Sequence, residues 1–361
     1  MDRRWEAAFG LASLWVALAV LATAPVLQLI SFGYLLEASG RVARTGRLRD
    51  AAVGAHIAAR WGSVALGGWL LLLAPRLIAS LAGDARLVSP AGAGLPENPA
   101  ARRLDTLLVV ACVWVVLHTT AAVWRGGRLR HFLWPRPVRL LRELIADGGF
   151  ARAAHMLRRR LAELRLGRLF WLGLQGLACG LAWLALPTTL LAAGAWAPAV
   201  GLVGGVMLAA VALHLPLLQA RLAMTGRFGQ GFHLRGVWSG YARAPLLHTA
   251  AVAATLLLAA PLYLLKVELV PREAAWLPGL LFVASAWPTR VLAGLAVAHA
   301  RRAPRRWWRA SLGVASVVGL LGPIACVYAL VVFASRYTSW HGVASLYEQH
   351  AFLLPAPLLG L

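Results

Sequence analysis

The chain has 361 residues, 60% hydrophobic and only 14% charged, with a mean hydropathy of +0.70. Soluble globular chains run at about 45–50% apolar and about 25% charged, so an ordinary soluble enzyme or binding domain is excluded. The net charge of +23 would suggest nucleic acid in a soluble protein. Here the arginines cluster between apolar runs, so anionic lipid head groups are the expected partner and nucleic acid is not.

A helix rises about 1.5 Å per residue, so about 20 apolar residues cross a bilayer. Eight segments meet that test: 8–36, 62–82, 106–124, 169–194, 198–220, 246–265, 277–300 and 310–334. The first follows Asp2-Arg3-Arg4 and contains Ala22-Thr23-Ala24, an imitation of a signal peptide. Its apolar run, Ala8 to Leu36, is too long for a signal core, so it reads as a retained span that tilts or kinks at Pro25 or whose end runs along the interface. The gap 37–61 carries Arg41, Arg44, Arg47, Arg49 and Arg60, whereas the Gly- and Pro-rich gap 83–105 reads as an irregular loop.

Residues 125–168 hold 12 of the 36 Lys and Arg residues. Within them, Val138, Leu141, Leu144 and Ile145 form one apolar face, and Asp147-Gly148-Gly149 interrupts it. Phe150, Ala154, Leu157, Leu161 and Leu164 form a second face, with Arg158, Arg159, Arg160 and Arg165 mostly elsewhere. This is the pattern of a basic amphipathic insertion that lies in the head-group plane or caps the helices. Further on, only Ala195-Trp196-Ala197 separates spans four and five, and Pro198 suits a tight turn.

Positive charge sets orientation. The gaps after spans one, three, five and seven carry 26 of the 36 Lys and Arg residues, and those on the other side carry 8. The insertion 125–168 is therefore expected to be cytoplasmic. Both termini, including the tail 335–361, are expected to be extracytoplasmic.

The sequence also resembles itself. Arg41-Val42-Ala43-Arg44-Thr45-Gly46-Arg47 matches Arg221-Leu222-Ala223-Met224-Thr225-Gly226-Arg227. Pro25-Val26-Leu27-Gln28 matches Pro216-Leu217-Leu218-Gln219, and Leu73-Ala74-Pro75 matches Ala259-Ala260-Pro261. Val110-Ala111-Cys112-Val113-Trp114 matches Val283-Ala284-Ser285-Ala286-Trp287. These matches suggest a four-plus-four parallel duplication, with halves 1–196 and 197–334 inside one integral membrane domain. Arg47 and Arg227 in the repeated Thr-Gly-Arg turn are candidate head-group contacts, as are Arg158, Arg159 and Arg160.

Ionisable groups at membrane depth are costly and mark sites or local pairs. Arg76, His118, His214 and Arg290 are the candidates for an intramembrane polar site. The competing reading is that Arg76 snorkels, the histidines bond nearby backbone and Arg290 pairs locally. No Asp or Glu falls deep in any of the eight segments. No His-Glu-x-x-His, Gly-x-Ser-x-Gly or Gly-Lys-Ser/Thr loop is present, and Cys112, Cys179 and Cys326 lack metal-type spacing. No catalytic, metal or cofactor site is expected.

Five stretches, Ser31–Glu37, Gly127–Pro135, Leu262–Lys266, Pro271–Pro278 and Ser345–His350, give the chain a family likeness. It resembles bacterial, planctomycete-type multi-pass membrane proteins labelled only as carrying a domain of unknown function. The resemblance implies a bacterial inner membrane and no activity. The expectation is an all-α, polytopic transmembrane bundle of about eight spans. Its role is read as non-enzymatic, at the lipid interface, with a carrier of a small or lipidic anion as the alternative.

Overall fold

Helices account for every regular element in the computed structural model, which describes residues 3–87, 99–133, 164–264, 276–339 and 342–348. They are α1 (Arg3–Ala22), α2 (Gln28–Thr45), α3 (Ala55–Leu87), α4 (Pro99–Trp124), α5 (Leu129–Leu133), α6 (Leu166–Ala193) and α7 (Pro198–Thr225). Then follow α8 (Leu234–Arg243), α9 (Pro245–Leu264), α10 (Trp276–Arg302), α11 (Trp307–Ser316), α12 (Gly322–Ala334) and the short α13 (Ser345–Glu348). A π-turn, Val317–Leu321, joins α11 to α12 just before Pro323, where the regular bonding pattern lacks an N–H.

Eight of these helical segments are long and apolar enough to cross a membrane. The faces they expose are apolar too. Val109, Val110, Val113 and Val116 on α4 and Leu202, Val203 and Val206 on α7 are exposed. A soluble protein rarely tolerates such continuous apolar surface. The chain is an all-α, multi-pass membrane protein.

The described chain forms two compact units, Met1–Leu14 with 54–164, and 15–53 with Arg165–Leu361. In the first, α1 runs parallel to α3: Gly10 faces Ala55 and Ala59, and Ser13 faces Gly62. There α3 and α4 pack along each other, and α5 folds onto both. The unit boundaries do not coincide with the 196/197 division suggested by the repeat.

The second unit corrects the first span. Residues 8–36 are not one kinked crossing but parts of two helices, separated by the turn 23–27. Along α10, Gly279 meets Ala19 and Trp287 meets Trp15, so α1 runs antiparallel to α10. Arg290 meets Phe32, Gly294 meets Ser39 and Arg302 meets Gly46, so α2 runs parallel to it. Helices α1 and α2 are therefore a hairpin. With 18 residues, α2 is about 27 Å long at about 1.5 Å per residue. It is as long as a short span but carries Glu37, Arg41 and Arg44.

That polar content is tolerated because α2 is packed among α6, α7 and α10. Gly33 and Gly173 bring α2 and α6 backbone to backbone: a Cβ on Gly33 would lie 2.9 Å from the Gly173 nitrogen. Such close approach through small residues is how helices associate in lipid, where burial of apolar surface supplies little drive.

Candidate functional site

Helices α2 and α7 end in one repeated turn. Gly46 (φ 72°, ψ 14°) and Gly226 (φ 69°, ψ 11°) are both left-handed caps, a conformation that costs any residue with a Cβ. Each glycine N–H bonds four residues back, to Val42 O and Leu222 O, both at 2.7 Å. The Thr45 and Thr225 hydroxyls donate to Arg41 O and Arg221 O at 3.1 and 3.0 Å. They accept from the N–H groups of Arg47 and Arg227 at 3.2 and 3.3 Å. A 3-10 turn follows each, Leu48–Ala51 and Phe228–Phe232. This geometry sets the register of the match: Arg41 corresponds to Arg221, Glu37 to Leu217, and Arg44 to Met224. The match of Pro25 with Pro216 is not structural, since Pro25 lies in a turn and Pro216 inside α7.

The ends of α2, α7 and α10 meet. Helix C-termini carry unpaired carbonyls and the negative end of the helix dipole, so three together attract cations. Arginines from neighbouring helices answer. Arg44 Nη1 donates to Ala223 O and Met224 O, both at 3.0 Å, capping α7. Arg302 Nη2 donates to Thr45 O at 2.8 Å and Arg301 Nη1 to Ala43 O at 3.4 Å, capping α2.

Beside these ends lies a cavity of about 640 Å³, lined by α2, α6 and α7. Glu37 forms its base, with a side chain only 4% exposed. Its Oε1 accepts from Arg41 Nε at 2.9 Å and Arg44 Nη2 at 3.2 Å, and its Oε2 from Arg168 Nη2 at 3.3 Å. One carboxylate thus aligns three guanidinium groups, which stay 36–54% exposed. Trp171, 59% exposed, and Gln175 complete the rim.

A second, smaller cavity of about 60 Å³ lies at the corresponding place on α7. Its walls include Leu217, Arg221, Arg243, His248 and Arg301, and no carboxylate.

The four intramembrane candidates are divided between the units. In the first, Arg76 is exposed on α3. His118 is buried, its Nε2 2.7 Å from Phe132 O, with its ring stacked on Trp114; it ties α5 to α4. In the second, half-buried His214 donates from Nδ1 to Ala210 O at 2.7 Å on its own helix and packs against Trp238. Arg290, 5% exposed, donates to Gln219 Oε1 and lies 5.5 Å from the centre of the Phe32 ring. Gln219 Nε2 in turn donates to Gly176 O at 3.4 Å. Arg290 therefore knits α2, α6, α7 and α10 together. Neither cavity above is lined by any of the four.

Arg47 and Arg227 are exposed beside their turns. Arg158, Arg159 and Arg160, with both amphipathic faces of the insertion, lie outside the described residues. Sequence reasoning missed Glu37 by placing it at the start of a loop. The signal was there: Glu37 and Arg41 are spaced i, i+4, a helical pair. No group of three or more metal-type side chains occurs among the described residues. Comparison with known proteins found no matching family model, no matching curated protein and no matching solved structure.

Proposed function

We propose that this is a non-enzymatic bacterial membrane protein that holds an anionic lipid head group at its cytoplasmic face, in the Glu37 cavity. One observation carries the reading: Arg41, Arg44 and Arg168 converge on a cavity in which a single buried carboxylate pre-orients them. Three positive charges against one leave the site short of negative charge. Arginine's planar fork suits phosphate. The cavity volume falls in the range of about 300–1,000 Å³ typical of small-molecule sites. An exposed tryptophan beside such a cluster is characteristic of the head-group layer.

The α1–α2 hairpin supports one orientation over the other. If both helices cross, the Arg3 end of α1 lies on the same side as Gly46. Arg3 and Arg4 then join the positive side, raising its share to 28 of 36 Lys and Arg residues. The N-terminal end is then cytoplasmic and the end of α12 extracytoplasmic.

Binding of the detergent-purified full chain to phosphatidylglycerol and to phosphatidylcholine vesicles tests the function. The expected result is preference for the anionic lipid, weakened by Arg168→Gln and by salt. Equal binding to both lipids, or an unaltered preference in R168Q, rejects it.

A further inference from the structure

The smaller cavity points to a separate anion site. We infer that it takes a single tetrahedral oxyanion, a phosphate group either free or carried by a lipid. This site is independent of the Glu37 cavity, because different side chains form it.

Arg221 lies on α7, Arg243 at the end of α8 and Arg301 at the end of α10, and all three line about 60 Å³ of space. In the Glu37 cavity a carboxylate balances the corresponding arginine. Here Leu217 occupies that position, and nothing acidic lines the wall. Two of these guanidinium groups, those of Arg221 and Arg243, keep an unbonded nitrogen. Arg221 reaches Gln230 Oε1 at 3.2 Å and Gly236 O at 3.5 Å, yet its Nε is buried without a hydrogen-bond partner. The Nε of Arg243 is likewise buried and unpartnered. A cationic wall with no carboxylate to balance it is costly away from water, and an anion in the cavity supplies the missing negative charge.

His248 adds to the wall. Its Nδ1 donates to Ala244 O at 3.0 Å, which turns Nε2 toward Gly240, where a side-chain Cβ would collide with it. Size then limits the ligand. The cavity is far below the about 300 Å³ at which small-molecule pockets begin. It admits one oxyanion group and no larger head.

The experiment uses the full chain in nanodiscs of phosphatidylcholine, titrated with inorganic phosphate at constant ionic strength while thermal unfolding is followed. Wild type should show a saturable rise in Tm. Leu217→Glu copies the i, i+4 pairing of Glu37 with Arg41 and fills the cavity's charge deficit, so the rise should vanish. Arg243→Gln, a second variant with a half-buried side chain, should weaken binding by at least about tenfold. R168Q should leave it unchanged.

If phosphate has no effect, native mass spectrometry of the chain reconstituted with phosphatidylglycerol separates the sources. Loss of a retained lipid in L217E and R243Q but not in R168Q assigns the phosphate to a lipid. No phosphate shift and no lipid loss overturns the inference. So does a phosphate shift lost in R168Q and kept in both other variants.

Discussion

The two arginine cavities start from the same sequence pattern and end in opposite electrostatic states. On α2, Arg41 has Glu37 one turn back, and that carboxylate gathers Arg44 and Arg168 as well. On α7, Arg221 has Leu217 one turn back and Met224 where Arg44 would be. One side is a broad, charge-organised basin; the other is a narrow slot with buried, unbonded nitrogens. The difference teaches that a repeated turn conserves backbone geometry while leaving the charge beside it free to diverge. A basin with its own counter-ion can release its ligand and keep its shape. A slot without one depends on what it binds.

The largest expected effect comes from removing the counter-ion. Glu37→Gln leaves three arginines facing one another. Breaking a fully buried pair costs about 3–5 kcal/mol, and partial exposure of these arginines reduces that to about 2–3 kcal/mol. Thermal unfolding in detergent should show the loss, and added anionic lipid should restore more stability to E37Q than to wild type. Next comes the exchange. E37L combined with L217E should move the inorganic-phosphate response from the α7 slot to the α2 basin. A response unmoved by the exchange breaks the comparison.

Smaller effects test the turn itself. Gly226→Ala should cost about 1 kcal/mol for the left-handed backbone alone, since nothing lies within 4 Å of a new Cβ. Gly46→Ala should cost more, about 2 kcal/mol. There the Cβ would lie 2.5 Å from Arg302 Nη1 and disturb the cap on Thr45 O. Equal losses would mean that Arg302 contributes nothing. The smallest effect is Thr45→Val against Thr225→Val, about 0.5 kcal/mol each and equal within error, because the two hydroxyls share their two main bonds and Thr225 adds only a long contact to Leu222 O at 3.4 Å.

Much of this fold could be read from hydrophobic length. Eight apolar segments, the tight turn before Pro198 and the helical class all follow from runs that lipid alone explains. The α1–α2 break did not, because the apolar run continues through Thr23–Leu27 and a kink reads like a reversal. Glu37 was hidden for a related reason. A charge usually ends a span, and only the i, i+4 spacing of Glu37 and Arg41 hints that this one is held inside a helix. Gln219 was equally silent: a lone amide in an apolar run gives no hint of a buried Arg290. The Thr-Gly-Arg turns were legible because glycine and threonine act locally, within a few residues of chain.

The burial of α2 also has a consequence for biogenesis. The ribosome delivers α2 early, yet Arg168 and the α6, α7 and α10 walls that shield Glu37 are made later. Until then Glu37 has only Arg41 and Arg44 of its own helix as partners, and the flank lacks its protein walls, so α2 should enter the bilayer only as the trailing arm of α1 and settle late. Chains stalled before Leu166 should be prime substrates for membrane quality-control proteases, and pulse-chase of such truncations should show rapid turnover relieved by Glu37→Leu.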